Sequence, residues 1–220
     1  MKLKIDLHVH TSHSPCALLK PSAIEGIALK RGLDGIAVTD HNTMDGYREI
    51  IGTSPSITVI PAEEIRTSQG EITGYFLQEP IPALLSPAET VREIRRQGGL
   101  VAIPHPFDTL RSSRISRKSL AGLTGSIDMI EVFNARDIRR SVDRELLASC
   151  LQHGAVPIVG SDAHLGIELG RACMVIEEFR SPAEFLDNLK TADSVARRSP
   201  LWVHLVTKCI KPFRKKKTGG

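Results

Sequence analysis

The stretch Asp6-Leu7-His8-Val9-His10-Thr11 constrains this chain more than any other. It ends a run that reads as a β-strand from Lys2, and strand side chains repeat every two residues, so His8 and His10 project from one face. Two imidazoles thus aim at one point. Asp40-His41, Glu64, His105 and Asp162-Ala163-His164 each stand at the end of another strand-like run. A closed set of parallel strands would gather these groups around that point, and divalent metals bind such mixtures of imidazole and carboxylate. A single histidine at a strand end is usually a surface or hydrogen-bonded residue. Five of the eight, at the ends of four runs and beside acids, point jointly to a metal centre.

Between these points strand and helix signals alternate. Strands are predicted over 2–10, 35–40, 57–60, 71–77, 100–103, 127–133, 156–159 and, as the last, 172–176; helices are predicted over 21–31, 44–52, 87–97, 142–152 and 182–189. Ile36-Ala37-Val38 is apolar without alternation, as in a strand covered on both faces. Ser86-Pro87-Ala88-Glu89 and Ser181-Pro182-Ala183-Glu184 both have the form of a capping box with Pro at the first helical position. Residues 107–125, carrying Arg111, Arg114, Arg117 and Lys118, read as a long exposed excursion. The alternation favours a parallel, right-handed α/β arrangement of roughly seven units.

The 220 residues, 41% hydrophobic and 25% charged, suit one globular domain with an ordinary core and exclude a disordered body. Cys16, Cys150, Cys173 and Cys209 lack the close spacing of a disulfide framework or zinc knuckle, so a reducing cytoplasm is the expected location. No apolar run approaches the ~20 residues of a membrane span, and the N-terminus lacks a signal-peptide core. Eight of the 29 Lys and Arg lie in 194–220, which holds no Asp or Glu, so the body has 21 basic against 25 acidic residues. The basic total therefore belongs to the tail and is no evidence for nucleic acid at the site. Residues 1–193 are expected to form the functional domain, and 194–220 a C-terminal helix with a basic tail.

DLHVHT at 6–11, TDHN at 39–42, PAEEIRT around Glu64, HP at 105–106 and GSDAH at 160–164 together resemble the PHP (polymerase and histidinol phosphatase) superfamily, in its motif order, across residues 1–180. The resemblance implies a distorted (β/α)7 barrel, TIM-like, with parallel strands and outer helices. It also implies two or three divalent ions (Mn, Zn or Fe) at the C-terminal strand ends, where metal-bound hydroxide attacks a phosphoester. Position by position, His8, His10, Glu64 and Asp162 resemble the ligands of the first ion. Glu64 would bridge to a second ion held by His105, and His41 with His164 would hold a third. Glu64, Asp162 and His164 form the implied catalytic set.

Two positions depart from the family pattern: Cys16 replaces a common His or Asp, with His13 as another donor nearby, and Asn134 stands where some relatives carry His. Both are further candidate ligands. Asp6 and Asp40 are expected to support ligands rather than bind metal, with Asp40 accepting from an imidazole N–H. Glu63 reads as structural. Arg136 and Arg171 are candidates for substrate phosphate, because guanidinium presents a fork to phosphate oxygens.

Toward the C-terminus, Trp202, Leu205, Val206 and Cys209 share a helical face ahead of Arg214-Lys215-Lys216-Lys217. That segment is either a last helix packed on the barrel or a peripheral contact for anionic lipid or nucleic acid. The expected activity is hydrolysis of a small phosphomonoester. An exonuclease or nucleotide phosphatase, with the 111–118 cations on a strand, and a metal-binding regulatory module with little turnover are the alternatives. No P-loop and no G-x-S-x-G elbow is present.

Overall fold

The computed structural model describes residues 1–139 and 141–215, with side chains through Cys209. Its single sheet has nine strands: β1 (Lys2–Val9), β2 (Gly35–Val38), β3 (Thr58–Thr67), β4 (Gly70–Tyr75), β5 (Leu100–Ile103), β6 (Met129–Asn134), β7 (Val156–Gly160), β8 (Ala172–Glu177) and β9 (Asp193–Ala196). Their spatial order is β7-β6-β5-β4-β3-β2-β1-β8-β9. The tip beyond β7 returns to β1 through the parallel bridge Val9–Ala163, with His10 N donating to Ala163 O at 2.9 Å. Seven strands thereby make a nearly closed barrel. Helices α1 (Pro21–Lys30), α2 (Asp45–Ile51), α3 (Pro87–Arg96), α4 (Arg117–Ala121), α5 (Arg144–Gln152), α6 (Pro182–Leu189) and α7 (Trp202–Lys215) complete the chain.

Burial follows the strand period. On β2, Ala37 joins Leu7 and Ala62 in one apolar cluster, whereas Ile36 and Val38 join Ile24 and Ala28 of α1 in another. On β5, Leu100 and Ala102 share the first cluster while Val101 and Ile103 pack on Val91 and Ile94 of α3. Inside the barrel the Tyr75 hydroxyl donates to the Leu7 carbonyl at 2.8 Å. Ser86 and Glu89 form both arms of the capping box on α3. At α6 only Ser181 caps, because the Glu184 carboxylate accepts from Arg180 N instead.

The all-parallel expectation needs correcting at two places. β4 runs antiparallel to β3 and β5, and β8 runs antiparallel to β1 and β9. Only Ser68 and Gln69 separate β3 from β4, and two residues make a hairpin but cannot make the crossover a parallel pair requires. β9 is also a strand beyond the expected last one, and it spans residue 193, where the domain boundary was drawn.

The 107–125 excursion is less exposed than expected. Phe107, Ile115, Leu120 and Leu123 are buried, and Ser116 N donates to Gln69 O, pinning the segment to the β3–β4 turn. Among the described side chains of α7, Val203 and Thr207 are buried while Trp202 and Leu205 are 48% and 67% exposed, so this part of the helix packs through a different face from the predicted one. The basic run at 214–217 lies outside the described side chains. Among the described residues no helix is long and apolar enough to cross a membrane.

Candidate metal centre

β1 carries His8 and His10 to the barrel mouth, both buried, with their Nε2 atoms 3.2 Å apart. A register irregularity between Asp6 and Val9 bends the strand there. Each ring has its other nitrogen engaged. His8 Nδ1 meets Glu131 Oε1 at 3.0 Å, and an ionised carboxylate accepts only, so Nδ1 carries the proton. His10 Nδ1 meets Ser14 Oγ at 3.2 Å, and since Ser14 already donates to Asp40 Oδ1 at 2.5 Å, the imidazole again donates. His164 Nδ1 donates to the Asp162 carbonyl at 2.7 Å. With Nδ1 engaged in all three rings, Nε2 is the nitrogen left for a metal.

Two carboxylates complete the centre. Glu64, on β3, places Oε1 2.7 Å from His105 Nε2 and Oε2 3.0 Å from His41 Nδ1. Asp162, beyond β7, places Oδ1 3.2 Å from His10 Nε2 and 3.6 Å from His8 Nε2. Four groups have donor atoms within 4.8 Å of one another: His8–His10–Asp162, His8–Glu64–His105, His10–His41–His164 and His41–Glu64–Glu71. Glu64 belongs to two of them, as a bridging carboxylate does. Glu64 Oε2, Glu71 Oε2 and Asp162 Oδ1 are buried and accept no hydrogen bond. Carboxylate oxygens in that state are costly unless a cation faces them, so this donor set fits divalent ions. His105 and Asp162 both have positive φ, 32° and 53°, a backbone region non-glycine residues seldom adopt outside functional turns.

The site's own charges split its groups. Burial works against the Glu64 and Asp162 carboxylates, but His41 and His105 beside Glu64, and Arg111 and His8 beside Asp162, hold both well below the usual range. Burial also opposes a charge on His8, yet Glu131 and Asp162 outweigh it and raise its pKa. His10 and His164 go the other way, lowered by burial and then by His41 and Arg136 respectively. Ionised Glu64 and Asp162 and neutral His10 and His164 are in the protonation states that metal binding requires, whereas His8 would give up a proton as an ion binds.

A sequence profile of the PHP-associated family, PHP_C, matches residues 150–194. Two uncharacterised proteins of Methanocaldococcus jannaschii are similar along most of their length. MJ0417 is 34% identical, covering 86% of this chain and 79% of its own, and MJ1587 is 38% identical, covering 60% and 82%. Among solved structures, a two-domain Bacteroides vulgatus protein containing a predicted PHP-like metal-dependent phosphoesterase superposes with a TM-score of 0.72 at 20% identity. That match covers 90% of this chain and 65% of the longer one. PsfC of Pseudomonas syringae gives 0.64 at 15% identity, covering 98% and 99%. The chain belongs to the PHP superfamily.

Of the residues singled out in this PHP chain, His8, His10, His41, Glu64, His105, Asp162 and His164 come together at the barrel mouth. Cys16 joins them, its Sγ 3.1 Å from His164 Nε2, while His13 pairs with Glu49 at the surface. Asn134 is otherwise engaged: its amide donates to Glu131 and Asp162, and its carbonyl accepts from Arg136 N. Asp6 accepts backbone N–H groups of His8, Ser161 and Gly170. Asp40 meets no imidazole. It accepts from Thr11 N, Thr11 Oγ1 and Ser14 Oγ, and so reaches His10 only through Ser14, because the turn after β1 offers nearer donors. Glu63 is buried away from the centre, its carboxylate accepting from Ile81 N. Arg136 is buried, bonded to Thr207 Oγ1 at 2.8 Å and 3.6 Å from Glu168. Arg171 stands elsewhere, half-buried, on the carbonyls of Ile167 and Arg198.

Three contributors were not picked out from the sequence. Glu131 holds His8 and also accepts His105 N at 2.6 Å; its place at the end of a predicted strand was the available signal. Glu71 enters from β4, which the antiparallel hairpin brings beside Glu64. Arg111 reaches back from the excursion to donate to Asp162 Oδ2 at 2.7 Å, and no local pattern marks it apart from Arg114 or Arg117.

Proposed function

We propose that this PHP protein hydrolyses a small phosphomonoester at two or three divalent ions held by His8, His10, His41, Glu64, His105, Asp162 and His164, with Glu71 and Cys16 at the edge. The observation that carries this reading is the convergence of the Glu64 and Asp162 carboxylates with five imidazoles into overlapping groups whose donor atoms lie within 4.8 Å of one another. Ions such as Mn²⁺, Zn²⁺ or Fe²⁺, which suit mixed nitrogen and oxygen donors, would supply positive charge for phosphoryl oxygens and an acidified water.

The chain's own residues supply the rest. Asp162 divides its labour: Oδ1 faces His8 and His10, while Oδ2 anchors Arg111. Arg111 is therefore held beside the ions without competing for the ligating oxygen. Its side chain is 21% exposed, which would leave a guanidinium N–H able to take a phosphate oxygen. Arg136, buried with its Nη1 3.6 Å from Glu168, adds a second guanidinium below the mouth. Glu131 keeps His8 in the ligating tautomer.

Protein purified without chelator is expected to contain divalent metal and to release phosphate from an aryl phosphate. His8→Ala or Asp162→Ala is expected to abolish release, and full turnover in either variant would defeat the proposal. Arg111→Ala is expected to keep its metal while losing about tenfold or more in kcat/KM, the scale of one charge-assisted phosphate contact.

A further inference from the structure

A second cluster of cations lies on the flank of the barrel, where β1, the C-terminal end of α1 and the β8–β9 hairpin meet. Lys4, Lys30, Arg31, Arg171 and Arg197 line a cleft of about 400 Å³ together with Leu169, Gly170 and Val195, and no carboxylate shares the lining. That size is in the range of small-molecule sites.

These cations are held together rather than scattered. Ala172 pairs with Ala196 on the antiparallel hairpin, and Arg197 N donates to Arg171 O at 2.8 Å, so the two arginines stand directly across from each other. Like charges in that position destabilise a sheet. A second juxtaposition adds to the first: the Arg31 and Arg171 guanidiniums both donate to the Ile167 carbonyl, each at 3.5 Å. Arg171 also donates to the Arg198 carbonyl, and Lys4 Nζ to the Arg31 carbonyl. None of the five makes an ion pair with a described residue. Carbonyl partners orient a guanidinium without neutralising it. The fold thus concentrates positive charge with no carboxylate in an ion pair with it.

We propose that this cleft binds a small anion bearing a diphosphate group, of the nucleoside diphosphate class. Arg171 and Arg197 would take the phosphate oxygens as a two-sided fork, Arg31 and Lys30 would close from α1, and Val195 would offer an apolar contact. The cleft is distinct from the metal centre. Between them lies the buried Asp6 carboxylate, which accepts Gly170 N–H on the cleft side at 2.8 Å and Ser161 and His8 N–H on the metal side at 3.1 and 3.3 Å. The proposal does not depend on the hydrolytic reading.

The test is a calorimetric titration of the full chain with the non-hydrolysable α,β-methylene analogue of ADP. Wild type is compared with the Arg171→Gln/Arg197→Gln double variant, using thermal midpoint and bound metal as controls. The expected result is saturable binding to wild type, weakened about tenfold or more in the double variant at unchanged metal content. Equal affinity in the two proteins overturns the proposal. So does binding lost in Asp162→Ala yet kept in the double variant, which would locate the anion at the metal centre. Tight binding of a single-stranded oligonucleotide with none of the analogue also overturns it. Should the double variant not fold, Lys30→Gln/Arg31→Gln on the exposed end of α1 carries the same comparison.

Discussion

Asp137 shows how a single buried acid near this site makes stability depend on pH. Burial, with Glu131 adding, pushes its carboxyl up to about 7, and its Oδ1 accepts no hydrogen bond. The folded state thus favours the protonated form. The stability this proton contributes is present below the unfolded pKa near 4, and is lost as the pH rises through about 7. Asp137→Asn stays neutral throughout, so in chelated protein it should match wild type near pH 4 and exceed it by roughly 2 kcal/mol at pH 8. Urea unfolding across that pH range measures this, and an advantage independent of pH would contradict it. Neither Asp137 nor Arg111 announces itself in sequence, because their behaviour depends on neighbours far along the chain. His8 and His10 did, since two residues of spacing on one strand suffice to align them.

At the scale of elements, the strand tips bring the donors together and the small residues between them let the donors meet. A side chain at Gly160, the last residue of β7, would overlap the Glu131 carboxylate and His8 Cβ. Gly160→Ala is therefore expected to break the His8–Glu131 hydrogen bond and to cost about 1–3 kcal/mol, as overpacking of a tight site does. Chemical denaturation and metal content of the purified variant check it, and an intact protein with full metal would refute it. Most elements were legible because their signals are local: the Ser86 capping box, the apolar run of β2, Pro21 at the start of α1. The direction of β4 was not. It depends on the two-residue turn at 68–69, which the strand pattern alone does not weigh. The excursion was misread for a related reason, since polar and basic residues dominate it while four apolar ones anchor it.

For the whole molecule, the donors come from β1, β3, the segments after β2, β5 and β7, and β4, so the site exists only when the barrel closes. Divalent ions should therefore bind the folded state alone and stabilise it, by about 2.7 kcal/mol at a hundredfold excess over Kd. Thermal unfolding of chelated protein with and without added Mn²⁺ is expected to show a rise in Tm for wild type and none for Asp162→Ala. An equal rise in both would remove the centre from the account.

The sequence by itself determined the superfamily, the strand-and-helix alternation and the seven residues that meet at the barrel mouth, because motif spacing and side-chain period are properties of short segments. Only the tertiary structure decided the antiparallel strands, the supporting role of Glu131, the inward turn of Arg111 and the placement of Arg171 in a cleft of its own. Each of those depends on which distant segments become neighbours, and that is settled by packing and ring closure rather than by any local pattern.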